Sequence, residues 1–508
     1  MMASSSRTRR FFYSTCTTGI YQLALFLSGL IVPRVMLVFY SSEINGLVNS
    51  ITQFITYFNL VEAGLAGATV YALYKPLADN DYDEVSAIVV ASKRFYFYAG
   101  FAFLALISLL ALSYPFLIDV LSLSKLEVGL LVFVLGSSSI LEFFTLAKYR
   151  ALLSADQKTY VISIASTVHV ILNTVLIYAL SPLHLNIVFL RTIALLSIFA
   201  RTAILVIYVR KKYMRINFNA PAKMNALNKR WDAMYMQILG AIHTGAPIVI
   251  LTTVVKDLLL VSVFSVYNMI TAGLHGVMSI FSSGLSASFG DVIVRKQDNI
   301  LKETYQEFEV LYIGIITIVY SIAMVVIMPF IKLYTSGITD VNYYRPIVGF
   351  LIILNAFLFH LKSPQAMMLI AAGLYKESRI QTTIQGGLMV VLGVLFGYIW
   401  KIEGVLIASI ISNVYRDIDL LFFIPHNVTH LPVGFTLKRW GWSIICFAIV
   451  VGVFGCINVT ITSYLSWALW SIIVGLFALI TVLSAILVFD RAPFLGLLKR
   501  LKGALFNK

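Results

Sequence analysis

Long apolar segments recur along almost the whole chain, and each is followed by a short polar turn. A helical segment of about 20 apolar residues matches the hydrocarbon thickness of a bilayer. The bilayer core offers no water to backbone N–H and C=O groups, so a spanning segment satisfies them internally as a helix. The composition agrees, because 60% of the residues are hydrophobic and 12% are charged, whereas soluble domains are about one quarter charged. The chain is therefore predicted to be an all-α polytopic membrane protein.

The turns divide the chain into about fourteen predicted transmembrane spans, numbered here in chain order. Their approximate limits are 13–40, 45–73, 84–114, 128–151, 157–181, 185–210, 231–255, 258–291, 304–333, 346–375, 379–400, 403–424, 438–462 and 466–490. We predict an N-lobe (1–215, spans 1–6), a C-lobe (216–432, spans 7–12) and a segment (433–508) with spans 13 and 14 and a basic tail. The longest polar break, 211–230, is predicted to be an inter-lobe linker or, alternatively, a basic amphipathic helix on the membrane surface.

Lys and Arg are concentrated in alternate loops, which predicts the orientation of the chain. One side holds the basic residues before span 1, the run 210–215, the pair Lys438–Arg439 and the C-terminal basic residues. The opposite loops hold Lys125, Lys256, Lys332, Arg345 and Lys401. Cytoplasmic loops carry the excess of basic residues, so both termini are predicted to be cytoplasmic. The net charge of +15 then indicates contact with anionic membrane lipids, and no nucleic acid is expected as a partner.

A short glycine-rich pattern occurs twice. The segment AGLAGA (63–68) in span 2 resembles SGLSAS (283–288) in span 8, and each follows a span that contains a proline. One interpretation is a parallel internal repeat, which predicts a pseudo-two-fold axis along the membrane normal and a transport site between the lobes. The other is chance similarity between helices rich in small residues.

Ionisable residues inside the spans are expensive in hydrocarbon and are therefore candidates for function. At about 1.5 Å per residue, Arg34 and Arg191 lie near the outer surface, while Glu62, Arg201 and Lys362 lie deeper. Arg34 and Arg191 either extend to the outer headgroups or form the cationic wall of a cavity. An arginine wall favours phosphate, because the guanidinium stays charged and binds phosphate oxygens in a bidentate manner.

The two acids within the spans also have two interpretations. Glu62 forms a structural ion pair with Arg201, or it exchanges a coupling ion, since burial favours protonation of a carboxylate. Glu142 has the same alternatives, with Lys148 and Arg150 available as cationic partners. The histidines within the spans are interpreted as core residues rather than proton carriers; they are His169, His243, His275 and His360.

No arrangement typical of an enzyme was found. A nucleophile elbow, a metal-spaced histidine pair and a phosphate-binding loop are all missing from the sequence, and the loops on the outer side are short. The three cysteines, Cys16, Cys446 and Cys456, have no spacing typical of a metal site. A non-enzymatic protein without a cofactor or a metal is therefore expected.

Several segments resemble the Wzx-type polysaccharide flippases of the MOP exporter superfamily, which are relatives of the MATE exporters and the MurJ lipid II flippases. The segments that carry the resemblance are SEINGLVNSITQFITYFNLVEAGLAGATVYALYKPLADND, LEFFTLAKYRALLSADQKTYV, LLLVSVFSVYNMI, LYTSGITDVNYYRP and LKSPQAMMLIAAGLYKES. The resemblance implies two six-helix bundles plus two C-terminal helices. It also implies a bacterial cytoplasmic membrane protein that moves an undecaprenyl-pyrophosphate-linked oligosaccharide to the outer leaflet by alternating access.

The resemblance also implies partners and site residues. A cationic cavity between the lobes would receive the pyrophosphate, and its candidates in this chain are Arg34, Arg191, Arg201 and Lys362. Glu62 and Glu142 are the candidates for coupling to a proton or a sodium ion, because no ATP-binding motif is present. Other glycan-assembly proteins are further possible partners. This chain has Lys362-Ser363-Pro364 where relatives often have an Arg-Thr-Pro-like triplet.

Other functions compete with this interpretation. A MATE-like antiporter of small molecules or ions is the main alternative, and a polysaccharide polymerase or ligase, a scramblase or a scaffold are others. The predominance of basic side chains deep in the spans favours an anionic substrate over an organic cation.

Overall fold

The computed structural model describes residues 2–218, 220–223, 230–283, 289–290, 292–293, 295, 297–457 and 459–506. Over these residues the chain is helical and contains no β-strand, which confirms the all-α prediction. The chain forms two compact units, 1–262 and 263–508. The predicted division at 215 and 432 stays a prediction. The second copy of the glycine-rich pattern lies mostly in 284–288, outside the described residues.

Ten α-helices lie within the described part of the first unit. They are α1 (Met2–Phe39), α2 (Ser42–Phe58), α3 (Leu60–Asp79), α4 (Tyr82–Leu117), α5 (Lys125–Thr145), α6 (Ala147–Ala155), α7 (Thr159–Leu180), α8 (Ile187–Leu195), α9 (Ser197–Lys212) and α10 (Arg230–Thr253). The next helix, α11 (Leu258–Ser283), begins in the first unit and continues into the second.

The second unit continues with α12 (Asp298–Tyr334), α13 (Pro346–Leu361), α14 (Ser363–Ala371), α15 (Arg379–Ile424), α16 (Val433–Gly455), α17 (Tyr464–Phe489) and α18 (Arg491–Phe506). Among the described residues, eleven helices are long and apolar enough to cross a membrane. This finding supports a multi-pass membrane protein, but the predicted number of fourteen spans is not confirmed. One cause is local, because α15 carries predicted spans 11 and 12 in one helix that is broken at Lys401, where φ is 50° and ψ is −124°.

Three predicted spans of the first unit are each interrupted by one tightened turn. In each turn a backbone N–H donates to the carbonyl three residues earlier, at 2.9–3.1 Å, as in a 3-10 helix. The turns begin at Asn59, Leu146 and Leu196. Span 10 of the second unit is interrupted in a comparable place, at Lys362 between α13 and α14. The three turns at Asn59, Leu146 and Leu196 separate α2 from α3, α5 from α6, and α8 from α9.

The polar break after α9 is not a surface helix over the part that the structure describes. Residues 213–218 and 220–223 are turns and irregular chain. The backbone N–H of Asn217 donates to Ser86 Oγ at 2.9 Å, and Lys223 Nζ lies 2.5 Å from Glu84 Oε1. This part of the break therefore packs along the start of α4. The amphipathic-helix alternative is wrong for these residues.

The close approach of α2 and α11 in the first unit depends on Gly46. An added Cβ at Gly46 would collide with the backbone carbonyl of Leu258, which cannot swing away as a flexible side chain does. The residue directly before it, Asn45, donates from Nδ2 to Ser262 Oγ at 2.8 Å. A glycine thus permits two helices to touch at a point where a polar pair links them.

Gly46→Ala is expected to destabilise the protein by about 1–3 kcal/mol, because overpacking forces the backbone apart. The thermal midpoint of the purified protein, followed by size-exclusion chromatography after heating, measures the effect. Gly67→Ala is the matched control, since an added Cβ there has no neighbour within 4 Å and alanine is the better helix former. Equal midpoints for the two variants would show that the α2–α11 approach is not tightly packed.

Candidate functional site

The interrupted spans bring two acids and two bases together in the first unit. Arg150 forms an ion pair with Glu142, and its Nη2 lies 3.6 Å from Glu62 Oε1. Arg201 Nη1 lies 3.2 Å from Glu142 Oε2, where it donates a hydrogen bond. We call these four residues the N-cluster. Its formal charge is zero, and both guanidinium groups contact the same carboxylate.

The N-cluster depends on the three tightened turns. Glu62 follows the turn at Asn59, and Glu142 and Arg150 lie on either side of the turn at Leu146. Arg201 lies in the first turns of α9, after the turn at Leu196. A local change of helical phase redirects the side chains that follow it, so charges from three separate spans reach one place.

The side chains of the N-cluster are 14–31% exposed. Arg150 is the most exposed of them, at 31%. The N-cluster is therefore not fully enclosed by protein. This partial exposure keeps the cost of desolvation below that of a fully buried pair.

The pairing within the N-cluster differs from the ion pair expected from the sequence. Arg201 bonds to Glu142 rather than to Glu62, and Glu62 is held by Arg150. The sequence predicts Arg150 only as a partner for Glu142, whereas in the structure Arg150 contacts both Glu142 and Glu62. Lys148, the other partner considered, instead lies 4.9 Å from the centre of the Tyr149 ring.

Arg191 differs from the basic residues of the N-cluster because no acid compensates it. Its Nε is buried without a hydrogen bond, and no carboxylate among the described residues forms an ion pair with it. Tyr40, at the end of α1, is its electrostatic neighbour, and the Tyr40 hydroxyl donates to the Leu185 carbonyl at 3.0 Å. Arg34 lies within α1, near its C-terminal end, and is partly buried. Among the described residues, the Arg191 guanidinium thus has no carboxylate as an ion-pair partner.

Lys362 belongs to the second unit and is enclosed there. Its Nζ donates to Asn413 Oδ1 at 2.8 Å and lies 3.3 Å from Asp417 Oδ1. Asn413 in turn donates to Asn355 Oδ1 at 2.9 Å. The Lys362 side chain is 8% exposed, so the ammonium group is occupied by protein ligands in this structure. Its substrate-binding role stays a prediction.

Asp417 is a residue that the sequence reasoning missed. Its side chain is 4% exposed, and neither carboxylate oxygen has a hydrogen-bond partner apart from the charge contact with Lys362. The signal was present, because the sequence RDID (416–419) puts three charged residues inside predicted span 12. Charged residues within a membrane span are functional candidates.

Structural comparison relates the chain to known transporters. The MurJ lipid II flippase in an inward closed conformation aligns with a TM-score of 0.67 at 15% identity, over 93% of this chain and 98% of that chain. An inward-facing MATE multidrug transporter of the MOP superfamily aligns with a TM-score of 0.62 at 16% identity, over 85% and 94% of the two chains. A MOP superfamily transporter from Pyrococcus furiosus, described as having a binding pocket of reverse polarity, aligns with a TM-score of 0.54 at 13% identity, over 86% and 95%.

The comparisons establish the fold of this chain. No protein-family model matches the chain, and no curated protein matches it in sequence. At this level of identity the likeness shows that the chain shares the fold of these transporters, and it does not identify a substrate. The described residues contain no group of three or more side chains suited to a metal ion.

Proposed function

We propose that this protein is a transporter that moves undecaprenyl-pyrophosphate-linked oligosaccharide units from the inner to the outer leaflet of the bacterial cytoplasmic membrane. It works by alternating access in the synthesis of a surface polysaccharide, with both termini in the cytoplasm. The observation that carries the proposal is the set of arginines in the first unit. Arg191 has a buried Nε without a hydrogen bond and no ion pair with a described carboxylate, and two further arginines contact one carboxylate. The MOP-type fold supports transport.

The physical problem for such a transporter is the headgroup. A pyrophosphate with sugars cannot cross hydrocarbon unaided, because a buried charge without a partner is very costly. Guanidinium groups lower this cost by binding phosphate oxygens in pairs. In this proposal Arg34, Arg191, Arg201 and Lys362 bind the headgroup, and Arg150 is added to them from its place in the N-cluster.

The acids of the N-cluster act as counter-ions when no headgroup is present. Glu142 holds Arg150 and Arg201 in position, and a pyrophosphate competes with this carboxylate for both guanidinium groups. A proton or a sodium ion on Glu142 or Glu62 removes the carboxylate charge and releases the arginines. Binding of the coupling ion and of the headgroup then reinforce each other, because linkage is reciprocal.

A MATE-like antiporter of small cations is the second candidate, since the fold similarity includes MATE transporters. Binding an organic cation requires acids that are available to it. Glu62, Glu142 and Asp417 are each paired with a basic side chain, so these acids favour the flippase.

Purified protein in liposomes is expected to move a fluorescent undecaprenyl-pyrophosphate oligosaccharide between leaflets, as measured by the fraction open to a membrane-impermeant glycosidase. An imposed proton or sodium gradient, applied in each direction, is expected to change the rate. Liposomes without protein and liposomes with an unrelated membrane protein are the controls. Flipping without any response to a gradient would remove the coupling role of Glu62 and Glu142, and no flipping at all would remove the proposed function.

A further inference from the structure

Two histidines and a tyrosine form a hydrogen-bonded chain inside the second unit. His275 Nδ1 on α11 lies 3.1 Å from His360 Nε2 on α13. The other nitrogen of His360, Nδ1, lies 2.9 Å from the Tyr312 hydroxyl on α12. His360 and Tyr312 are buried at 3% and 2% exposure, whereas the His275 side chain is exposed. The hydrogen bonds therefore connect an exposed imidazole to a buried one and then to a buried phenol.

We propose that His275, His360 and Tyr312 form a proton-binding site in the second unit, separate from the N-cluster. An imidazole is the side chain that exchanges a proton most readily near neutral pH. The inference deepens the proposed function and rests on it, because it names the proton as a coupling ion and locates where the second unit binds it.

The hydrogen bonds allow two neutral arrangements. In one, Tyr312 donates to His360 Nδ1, and His360 Nε2–H donates to His275 Nδ1. In the other, His275 Nδ1–H donates to His360 Nε2, and His360 Nδ1–H donates to the Tyr312 oxygen. The geometry is compatible with both, because each nitrogen of a neutral imidazole is either a donor or an acceptor.

The second arrangement is the one that accepts a proton. His275 Nε2 is then without hydrogen and accepts a proton from outside the chain, which makes His275 an imidazolium. Transfer of its Nδ1 proton to His360 Nε2 moves the charge to the buried ring, which now carries hydrogen on both nitrogens. His360 Nδ1–H continues to donate to the Tyr312 oxygen, and no covalent bond other than N–H changes.

Other groups around His360 set the balance between its neutral and charged forms. Tyr320 stacks on the ring with centroids 5.5 Å apart and 29° between the planes, and an aromatic face attracts a cation. Lys362 is a fixed positive charge that interacts with His360 and opposes a second positive charge there. Its carboxylate partner Asp417 offsets this repulsion. Ser363 Oγ lies 3.5 Å from His360 Nδ1. Arg416 is a further cation that interacts with Lys362.

Histidine titration in the intact protein tests the proposal without any substrate. Full-length protein labelled with ¹³C and ¹⁵N in histidine and held in lipid bilayers is examined by solid-state NMR between about pH 5 and 8. We expect His275 and His360 to gain one proton together, with their signals shifting over the same pH interval. The exposed His426 on the turn Pro425–Thr429 provides the reference for an independent imidazole. If neither His275 nor His360 changes its protonation over this range, the proposal is overturned.

A transport measurement then tests the coupling. In liposomes with the fluorescent lipid-linked oligosaccharide, wild-type protein is expected to respond to an imposed pH gradient, and one unit of pH across the membrane supports an about tenfold ratio per proton. His275→Gln is expected to reduce this response, with the acids of the N-cluster still in place, while His426→Gln keeps it. A full response in His275→Gln contradicts the coupling role. Absence of flipping in wild-type protein contradicts the proposed function instead, and the NMR titration still decides the proton site.

Discussion

Arg439→Gln is expected to cause the largest loss of stability of any single substitution in the second unit. Arg439 is fully buried and pairs with two acids, Glu309 and Asp490, the latter at 3.2 Å. Glu309 lies on α12 and Asp490 ends α17, so the guanidinium on α16 links three helices. Removing one partner of a buried ion pair costs about 3–5 kcal/mol, because it leaves an uncompensated charge.

The surrounding hydrogen bonds make this cost difficult to avoid. Glu309 Oε1 accepts hydrogen bonds from Thr436 at 2.8 Å and from Gln365 at 2.9 Å. Asp490 Oδ2 accepts one from Trp442 Nε1 at 3.0 Å. These donors hold both carboxylates in place inside the protein. When Arg439 is lost, Glu309 therefore stays buried without its basic partner, whereas Asp490 keeps Lys438 at 3.3 Å.

The thermal midpoint and the yield of monodisperse protein in detergent measure the effect of Arg439→Gln. The control is Arg500→Gln, because Arg500 is 45% exposed and pairs with Glu303 and Glu307 at the surface, where such pairs contribute about 0–1 kcal/mol. A triple variant, Arg439→Gln with Glu309→Gln and Asp490→Asn, is expected to recover part of the loss. Equal stability of the two single variants would show that the buried pairs contribute nothing.

Arg201→Gln and Arg150→Gln are expected to reduce export of the surface polysaccharide by about tenfold or more. Hydrogen bonds to charged groups contribute about 1.5–3 kcal/mol each, and each arginine offers two such bonds to a pyrophosphate. Lys362→Gln is expected to act in the same direction. Complementation of a flippase-deficient bacterial strain, with surface polysaccharide normalised to the protein in the membrane, measures the effect.

Two comparisons separate anion binding from a structural role. Lys125→Gln and Lys401→Gln remove basic residues from predicted outer loops and are expected to leave export nearly unchanged. The double variant Arg201→Gln with Glu142→Gln removes both partners of the ion pair at 3.2 Å. If Arg201 only balanced Glu142, the double variant would regain export, whereas a headgroup-binding Arg201 leaves export low in both. Small and equal effects of all basic substitutions would exclude these residues from the site.

The sequence was a good guide to the individual helices. Predicted spans 3, 5 and 9 correspond to α4, α7 and α12, because apolar length and turn residues act within one segment. The interruptions at Asn59, Leu146 and Leu196 were not predicted, since none of them contains a proline. The sequence also identified Glu62, Glu142, Arg201 and Lys362 as charged residues within the spans, and their roles in binding and coupling stay predictions.

The burial of Arg439 could not be predicted from the sequence. Arg439 was assigned to the predicted cytoplasmic loop before span 13, from its position beside Lys438. The structure encloses it completely among α12, α16 and the end of α17. Nothing within the segment itself indicates this, because Glu309 and Asp490 lie far from it in the chain.

The sequence by itself determined that the chain is an all-α, multi-pass membrane protein with charged residues inside its spans. Hydrophobic length is a local property, and the requirement to satisfy backbone hydrogen bonds in hydrocarbon leaves only the helix. Only the tertiary structure decided which charges meet. Arg150 joins Glu62 to Glu142, Lys362 contacts Asp417, and His275 contacts His360. Each of these pairs lies on different helices, so its formation depends on how the helices pack and on the turns that interrupt them.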